Sequence, residues 1–185
     1  MGSPRVIVIS GPSGAGKTTI CHELLKRKNN IKFSVSYTTR APRSGEKEGV
    51  DYFFISEVEF KRKIKEGFFA EWAKVHNHYY GTSKKFIEDT LKSGYHCLLD
   101  IDVQGGLQIK KSFPDGIFIF IAPPSIEELK KRLLKRRTEK PEDMEIRLRN
   151  ALKEMEFQKF YDYVIKNIDL NESVEKILDI IEKNY

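Results

Sequence analysis

The sequence lacks the features of several broad protein classes. It has only two cysteines in 185 residues, Cys21 and Cys97, and they do not form a metal-binding motif. No apolar run approaches the roughly 20 residues that a transmembrane helix needs, and the first residues have neither the basic nor the apolar region of a signal peptide. Internal repeats and long linkers are also absent. These absences predict one cytoplasmic globular domain over residues 1–185, with both thiols reduced.

Charge gives the first positive indication. The chain has 33 Lys and Arg against 27 Asp and Glu, a net charge of +6. Most of the excess lies in residues 130–149, which hold nine basic and four acidic residues. Such a segment favours an anionic partner but does not choose among nucleic acid, membrane and small phosphates. The aromatic residues of the chain are not interleaved with this segment as a base-stacking platform requires, so we do not expect nucleic acid as a partner. Because no long apolar run is present, we do not expect a membrane either.

Apolar runs alternate with helical patterns along most of the chain. Short continuous apolar runs predict buried strands at 5–10, 95–100, 117–121 and 163–165. Capping and periodicity signals predict helices over 17–28, from 125 to about 137, from 141 to about 159, and around residues 174–181. This alternation predicts an α/β fold with a central parallel sheet flanked by helices. Residues 33–82 break the pattern, and their aromatic and turn residues predict an inserted subdomain of short strands with one helix over 56–66.

The strongest local signal is a phosphate-binding loop. Residues 11–18 match G-x-x-x-x-G-K-[ST] between a predicted strand and a predicted helix, as in P-loop NTPases. Glycines let successive backbone N–H groups face one anion, and the helix N-terminus adds partial positive charge. Lys17 can reach the β and γ phosphates, and the Thr18 hydroxyl can bind Mg²⁺. The predicted ATP-binding residues are Gly11, Pro12, Ser13, Gly14, Ala15, Gly16, Lys17, Thr18 and Thr19.

Three further groups suit phosphate chemistry, although each has a simpler explanation. Asp100 ends a predicted buried strand, where an acidic residue commonly helps to hold Mg²⁺, directly or through water; it could equally cap a turn. Arg40 and Arg43 lie three apart in a loop, where guanidinium groups can bind a phosphate dianion. Tyr52 and Tyr80 could add hydroxyl donors. The alternatives are a solvated basic loop and packing tyrosines.

Taken together, these residues make the whole chain, from about Arg5 to its end, resemble guanylate kinases. The matching motifs occur in order at residues 10–14, 34–36, 38–43, 49–52, 69–72, 79–82, 99–105 and 120–125. The resemblance implies a P-loop core (5–32, 83–128 and 160–185), a GMP-binding subdomain (about 33–82) and a helical lid (about 129–159). It implies that the GMP phosphate is held by Arg40, Arg43, Tyr52 and Tyr80. It also implies that guanine is read by Ser36, Glu71, Thr82 and Asp102.

The chemistry of guanine agrees with that assignment. Guanine presents N1–H and N2–H₂ as adjacent donors, which one carboxylate can accept, whereas adenine lacks this pair. A buried carboxylate would be left unpaired by adenine, and mismatches of this kind discriminate strongly. Glu71 follows two phenylalanines, so we expect a buried acid, with an exposed strand residue as the alternative.

In the resembling family, lid arginines at the positions of Arg132, Arg136 and Arg147 close over the transferring phosphoryl group, and an Asn at the position of Asn167 lies near the adenine. Arg137 and Ile168 depart from the family pattern. The expected activity is Mg²⁺-dependent transfer of the γ-phosphoryl group of ATP to GMP, and to dGMP as a second acceptor, with catalysis by Lys17, Arg40 and the lid arginines. The rival hypotheses are a phosphoprotein-binding module, a kinase for another acceptor and a nucleic-acid binder.

Overall fold

The described strands form two separate β-sheets, one of five strands and one of four. A computed structural model describes residues 2–75, 77–135 and 141–184. The strands are β1 (Val6–Ser10), β2 (Ile31–Phe33), β3 (Tyr37–Thr38), β4 (Phe53–Phe54), β5 (Phe69–Val75), β6 (His78–Ser83), β7 (His96–Asp100), β8 (Ile117–Ala122) and β9 (Tyr163–Lys166). The helices are α1 (Lys17–Arg27), α2 (Glu57–Lys65), α3 (Lys84–Lys92), α4 (Val103–Ser112), α5 (Ile126–Lys135), α6 (Pro141–Met155) and α7 (Leu170–Lys183), with a 3-10 helix at Glu156–Phe160.

The first sheet is parallel throughout, in the order β2-β7-β1-β8-β9. Side chains along a strand alternate between its two faces. Ile7 and Ile9 of β1 therefore pack in one cluster with residues of α1 and α7. Val6 and Val8 pack in a second cluster on the opposite face, with residues of α3 and α4. Burial on both faces explains the continuous apolar runs and confirms the predicted parallel sheet.

Strand register brings the chemistry-bearing loops together. Ile9 of β1 pairs with Asp100 of β7, so the carboxyl ends of these two strands are neighbours. The phosphate loop follows β1, and helix α4 follows β7. Ligands of open α/β sheets bind at this edge, outside the carboxyl ends of the strands.

The second sheet is mixed and lies within the inserted segment. Its order is β4-β3-β6-β5, and the β5–β6 hairpin pairs Glu71 with Thr82. Stacked rings support it, with the Phe60 and Phe69 centroids 4.4 Å apart. Ser56 caps α2 by accepting a hydrogen bond from the Glu59 N–H, which confirms the predicted helix in this segment.

Most predicted elements are present, with two differences. The helix that begins at Pro141 ends at Met155, and the chain continues as the 3-10 helix instead of extending to about 159. Phe33, predicted to begin the inserted segment, belongs to the core strand β2. The predicted end of α5 near 137 lies outside the described residues. Within the described residues, no helix is both long and apolar enough to cross a bilayer.

Candidate active site

A cleft of about 260 Å³ brings together most of the residues singled out by the sequence. Those that line it come from the phosphate loop and α1, from strands and loops of both sheets, and from helix α6: Gly11, Ser13, Gly14, Gly16, Lys17, Thr18, Thr19, Ser36, Arg40, Arg43, Tyr52, Glu71, Tyr80, Asp100, Asp102 and Arg147. The sequence motifs, separated by up to 136 positions, therefore meet in one place.

The phosphate loop is shaped by close backbone packing. Gly11 has φ +144°, and a β-carbon there would lie 2.2 Å from the Ile121 carbonyl oxygen, so no side chain fits. Gly16 has left-handed geometry before α1 and provides no side-chain cap. Because Gly16 has no side chain to accept hydrogen bonds from the first N–H groups of α1, these donors are available to an anion. Lys17 Nζ donates to the carbonyls of Gly11 (2.7 Å) and Pro12 (3.2 Å).

Asn167 supports this loop from behind. Its Nδ2 donates to the Ala15 carbonyl at 2.8 Å, and its Oδ1 accepts from Ser173 Oγ at 3.1 Å. The side chain is buried and does not line the cleft, and the same is true of Pro12 and Ala15. A contact between Asn167 and adenine stays a prediction. What the structure gives Asn167 is a role in holding the shape of the loop.

Thr18 and Asp100 form an oxygen pair at the floor of the cleft. Thr18 Oγ1 donates to Asp100 Oδ2 at 2.7 Å, joining the start of α1 to the end of β7. Within the described residues there is no cluster of three or more His, Cys, Asp or Glu suited to a metal. Mg²⁺ at phosphoryl-transfer sites is typically held by one or two protein oxygens, with water and substrate phosphates completing the shell. This pair of hard oxygen donors fits that requirement.

Cationic and phenolic groups line the cleft beside the inserted sheet. The guanidinium carbon of Arg40 lies 5.4 Å from the Tyr52 ring centroid, and the Tyr52 and Tyr80 centroids are 6.0 Å apart. Burial raises the pKa of Tyr52 to about 12, with Asp100 adding to the rise. Tyr52 therefore remains a neutral hydroxyl donor at physiological pH. With Arg43, these groups can bind a phosphate dianion.

Glu46 is a member of this region that the sequence analysis missed. Its carboxylate makes a two-point ion pair with Arg40, at 3.0 Å from Nη1 and 2.8 Å from Nη2, and accepts from the Arg43 N–H at 2.7 Å. Burial raises the pKa of Glu46, but these bonds outweigh burial and hold the pKa below its usual value. An acidic residue three positions after Arg43 was the available signal.

Two further acids line the cleft, one of them buried (Glu71) and the other half-buried (Asp102). Glu71 is 3% exposed and accepts a 2.5 Å hydrogen bond from Thr82 Oγ1; Thr82 itself does not line the cleft. Burial raises the pKa of Glu71 to about 8, opposed by the Thr82 bond and reinforced by Asp102. The predicted burial of Glu71 is confirmed.

Asp102 is the second acid and also the N-cap of α4. It accepts from the backbone N–H groups of Gly105 (2.9 Å) and Gln104 (3.3 Å). Burial raises the pKa of Asp102 above its usual value, although these two bonds and Lys17 oppose the rise. A hydrogen-bonded, half-buried carboxylate is thus fixed beside Glu71.

The two helices after β8 contribute unequally to the cleft. Arg147 of α6 lines it, whereas Arg132 of α5 donates from Nε to Glu128 at 3.1 Å and does not line it. Arg132 is nevertheless close to the phosphate loop, since its Nη1 is 4.0 Å from the place of a β-carbon on Gly16. Arg136 and Arg137 lie outside the described residues.

Glu154, seven residues after Arg147 on α6, lines the cleft and was also missed by the sequence analysis. Burial raises the pKa of Glu154, opposed by Lys17 and by a hydrogen bond from the Ser13 N–H. The seven-residue spacing from Arg147, which repeats one helix face, was the signal that could have identified it.

Comparison with known proteins agrees with this geometry. A sequence model of the guanylate kinase family matches residues 3–184. The guanylate kinase of Caldanaerobacter subterraneus subsp. tengcongensis is 52% identical over 95% of this chain and 85% of its own length. That of Thermotoga maritima is 49% identical over 96% and 86%, respectively.

Solved structures extend the comparison. A crystal structure of guanylate kinase from Anaplasma phagocytophilum aligns with a TM-score of 0.84 at 36% identity, over 99% of this chain and 87% of that one. A sugar kinase from Janibacter sp. aligns with a TM-score of 0.57 at 16% identity, over 97% and 95%, and shares the fold alone. With the family match spanning nearly the whole sequence, the chain belongs to the guanylate kinase family.

Proposed function

We propose that this protein transfers the γ-phosphoryl group of ATP to GMP, giving ADP and GDP, as a step of purine nucleotide metabolism. One observation carries the proposal. The same cleft is lined by a phosphate loop, by a buried carboxylate, Glu71, and by arginines and tyrosines. This set of groups suits a nucleoside triphosphate together with a purine monophosphate as phosphoryl acceptor.

The proposed base contacts follow from donor and acceptor matching. Glu71 and Asp102 accept from the guanine N1–H and N2–H₂ groups, and Ser36 offers its hydroxyl as a partner. Thr82 contributes through the hydrogen bond from its hydroxyl to Glu71. Adenine would leave the two acids without those donors, which makes discrimination strong. These residues address the base and not the sugar, so dGMP is the second acceptor that we propose.

Catalysis is proposed to come from positioning and charge. Arg40, Arg43, Tyr52 and Tyr80 hold the acceptor phosphate, while Lys17 and the N–H groups of the loop hold the donor phosphates. The acceptor oxygen is already ionised at neutral pH, so no side chain has to remove a proton. Arg147, with Arg132 and Arg136 from the proposed lid, offsets charge on the phosphoryl group as it passes between substrates.

Mg²⁺ is the proposed cofactor, bound with ATP by Thr18 and by Asp100 directly or through water. When bound, it would neutralise charge on the donor phosphates. Asp100 also orients the Thr18 hydroxyl through the 2.7 Å bond. The remaining ligands would come from phosphate oxygens and water.

The proposal is tested by measuring ADP release with ATP and each of GMP, dGMP, AMP, UMP and dTMP, and by identifying the diphosphate product. We expect GMP to have the highest kcat/KM, dGMP to follow, and GDP to form in equal amount to ADP. If GMP is no better than AMP or UMP, the acceptor assignment is wrong. ADP release in the presence of GMP with inorganic phosphate but no GDP would mean hydrolysis of ATP instead of transfer.

A further inference from the structure

The Glu71 carboxylate lies against a glycine of helix α4. A β-carbon on Gly105 would lie 2.4 Å from Glu71 Oε2 and 3.1 Å from Asp102 Oδ1. Non-bonded β-carbons essentially never come within 3.0 Å of a neighbouring atom, so Glu71 occupies space that any other residue at position 105 would fill. Gly105 has no left-handed φ, so backbone conformation does not require glycine there.

The same glycine also fixes Asp102, the acid beside Glu71. Its N–H donates to Asp102 Oδ1 at 2.9 Å as part of the N-cap of α4. One residue therefore provides a hydrogen bond for Asp102 and the space for Glu71. Alanine has a higher helix propensity than glycine, so helix stability alone does not favour glycine at this position.

Neither the helix nor the strand can easily move to relieve a clash. The side-chain amide of Gln108 clasps the backbone of β5: the Trp72 N–H donates to its Oε1 at 3.2 Å, and its Nε2 donates to the Trp72 carbonyl at 2.8 Å. Asp102, Gly105 and Gln108 are spaced by three and so share one face of α4. This face meets β5 at the residue next to Glu71. The flexible end of the Glu71 side chain is what would move.

We propose that Gly105 is a positioning residue for guanine selection, because its missing side chain sets the place of the Glu71 carboxylate. The inference rests on the proposed role of Glu71 as the acceptor of the guanine N–H groups. A β-carbon on Gly105 would push Glu71 Oε2 from 2.4 Å to more than 3.0 Å from the β-carbon position. The Glu71 carboxylate would then no longer align with the guanine N1–H and N2–H₂ donors. Sub-ångström to one-ångström errors of this kind can cost up to about a hundredfold in rate or affinity.

The experiment is a double-mutant cycle. Gly105→Ala is made alone and together with Glu71→Asp, whose carboxylate is shorter by one methylene and withdraws from the new methyl group. Gly105→Ala alone should raise the KM for GMP about tenfold or more, with the KM for ATP changed less than about twofold. In the Glu71→Asp background, Gly105→Ala should raise the KM for GMP less than about twofold. Gln104→Ala, which removes an exposed side chain in the same turn, is the matched control and should leave both KM values unchanged.

The outcomes separate the two proposals. If wild type does not prefer GMP to AMP, the proposed function fails and this inference falls with it. If wild type prefers GMP but Gly105→Ala changes the GMP KM no more than Gln104→Ala does, the inference alone is wrong. If Gly105→Ala raises the KM for GMP by the same factor in the wild-type and Glu71→Asp backgrounds, the inference is also wrong. A thermal midpoint that falls by more than a few degrees, with both KM values raised alike, would show a merely structural role.

Discussion

The two ends of the cleft are built in opposite ways. The phosphate loop is one continuous stretch between β1 and α1, and the groups it offers are mainly backbone N–H groups and one lysine. The acceptor end is assembled from residues on β5, β6, α4 and the loops around β3, and the groups it offers are side chains. Backbone donors recognise any polyphosphate, whereas side chains can be chosen to fit one base. We therefore expect the phosphate loop to bind polyphosphates in general, and the acceptor end to select which base is bound.

Substitution of Lys17 should break the donor end and leave the acceptor end intact. Lys17→Ala removes the cation that can reach the β and γ phosphates, and we expect kcat to fall by at least about a thousandfold with every acceptor. Steady-state kinetics and titration calorimetry check this, with GMP affinity changing less than about twofold. Lys26→Ala, on the exposed face of the same helix, is the control and should be neutral. Residual transfer near wild-type rates would contradict the donor assignment.

Substitution of Glu71 should have the converse effect. Glu71→Ala removes the buried acceptor of the guanine N–H groups, and the preference for GMP over AMP should fall by about a hundredfold with the KM for ATP nearly unchanged. Competition kinetics with both acceptors give the ratio directly. Glu57→Ala, an exposed residue of the inserted segment, serves as the control. Unchanged selectivity would remove Glu71 from the base-reading role.

Substitution of Asp100 tests the proposed Mg²⁺ site at the donor end of the cleft. Asp100→Asn keeps the shape but loses the charge, and it should raise the Mg²⁺ concentration that gives half-maximal rate by about tenfold. The rate as a function of Mg²⁺ at fixed ATP measures this. Asp115→Asn, an exposed change of the same kind, should not shift the curve. The assignment fails if both variants respond to Mg²⁺ as wild type does.

The smallest effect expected is a pH dependence confined to the acceptor end. Burial raises the pKa of Glu71 to about 8, so below that pH the empty site holds a neutral acid. Guanine needs the carboxylate, so binding releases a proton and affinity should rise with pH, by about fivefold from pH 7 to 8, and then level off. Guanosine is the best ligand for calorimetry because it has no phosphate that titrates near pH 6.

Two controls bracket that pH prediction. Glu71→Ala should abolish the slope for guanosine, which separates Glu71 from Asp102 and Glu154, whose pKa values are also raised by burial. ATP binding should show no matching rise over the same interval. A guanosine affinity that is flat or falls between pH 7 and 8 in wild type would contradict a neutral Glu71.

The same contrast explains how far the sequence could be interpreted. The phosphate loop and the buried strands follow from contiguous residues, because helix N-termini and two-faced burial leave local patterns. Burial of Glu71 was predicted from its two phenylalanine neighbours. Arg40, Arg43, Tyr52 and Tyr80 had only weak local signals that also fit a solvated loop or packing. Ser36, Thr82 and Asp102 were identified as base-reading residues only through the family resemblance.

Tertiary contacts account for what the sequence analysis did not predict. Gly105, preceded by Gln104 and followed by Gly106, is typical of a turn, yet it lies in the first turn of α4 against Glu71, 34 positions earlier. Gln108 meets the Trp72 backbone across a similar separation. Glu46 contributes through its ion pair with Arg40 and its hydrogen bond from the Arg43 N–H. Periodicity and composition do not record the contacts of Gly105 and Gln108, because these contacts join α4 to β5, which are far apart in the sequence.

A crystal structure with GMP and a non-hydrolysable ATP analogue would test the central claim most directly. We predict the GMP phosphate within hydrogen-bond distance of Arg40, Arg43, Tyr52 and Tyr80, with the guanine N1–H and N2–H₂ groups donating to Glu71 or Asp102. The analogue's phosphates should lie on the N–H groups of the 11–18 loop. GMP bound elsewhere, or bound with its base turned away from Glu71 and Asp102, would contradict the account.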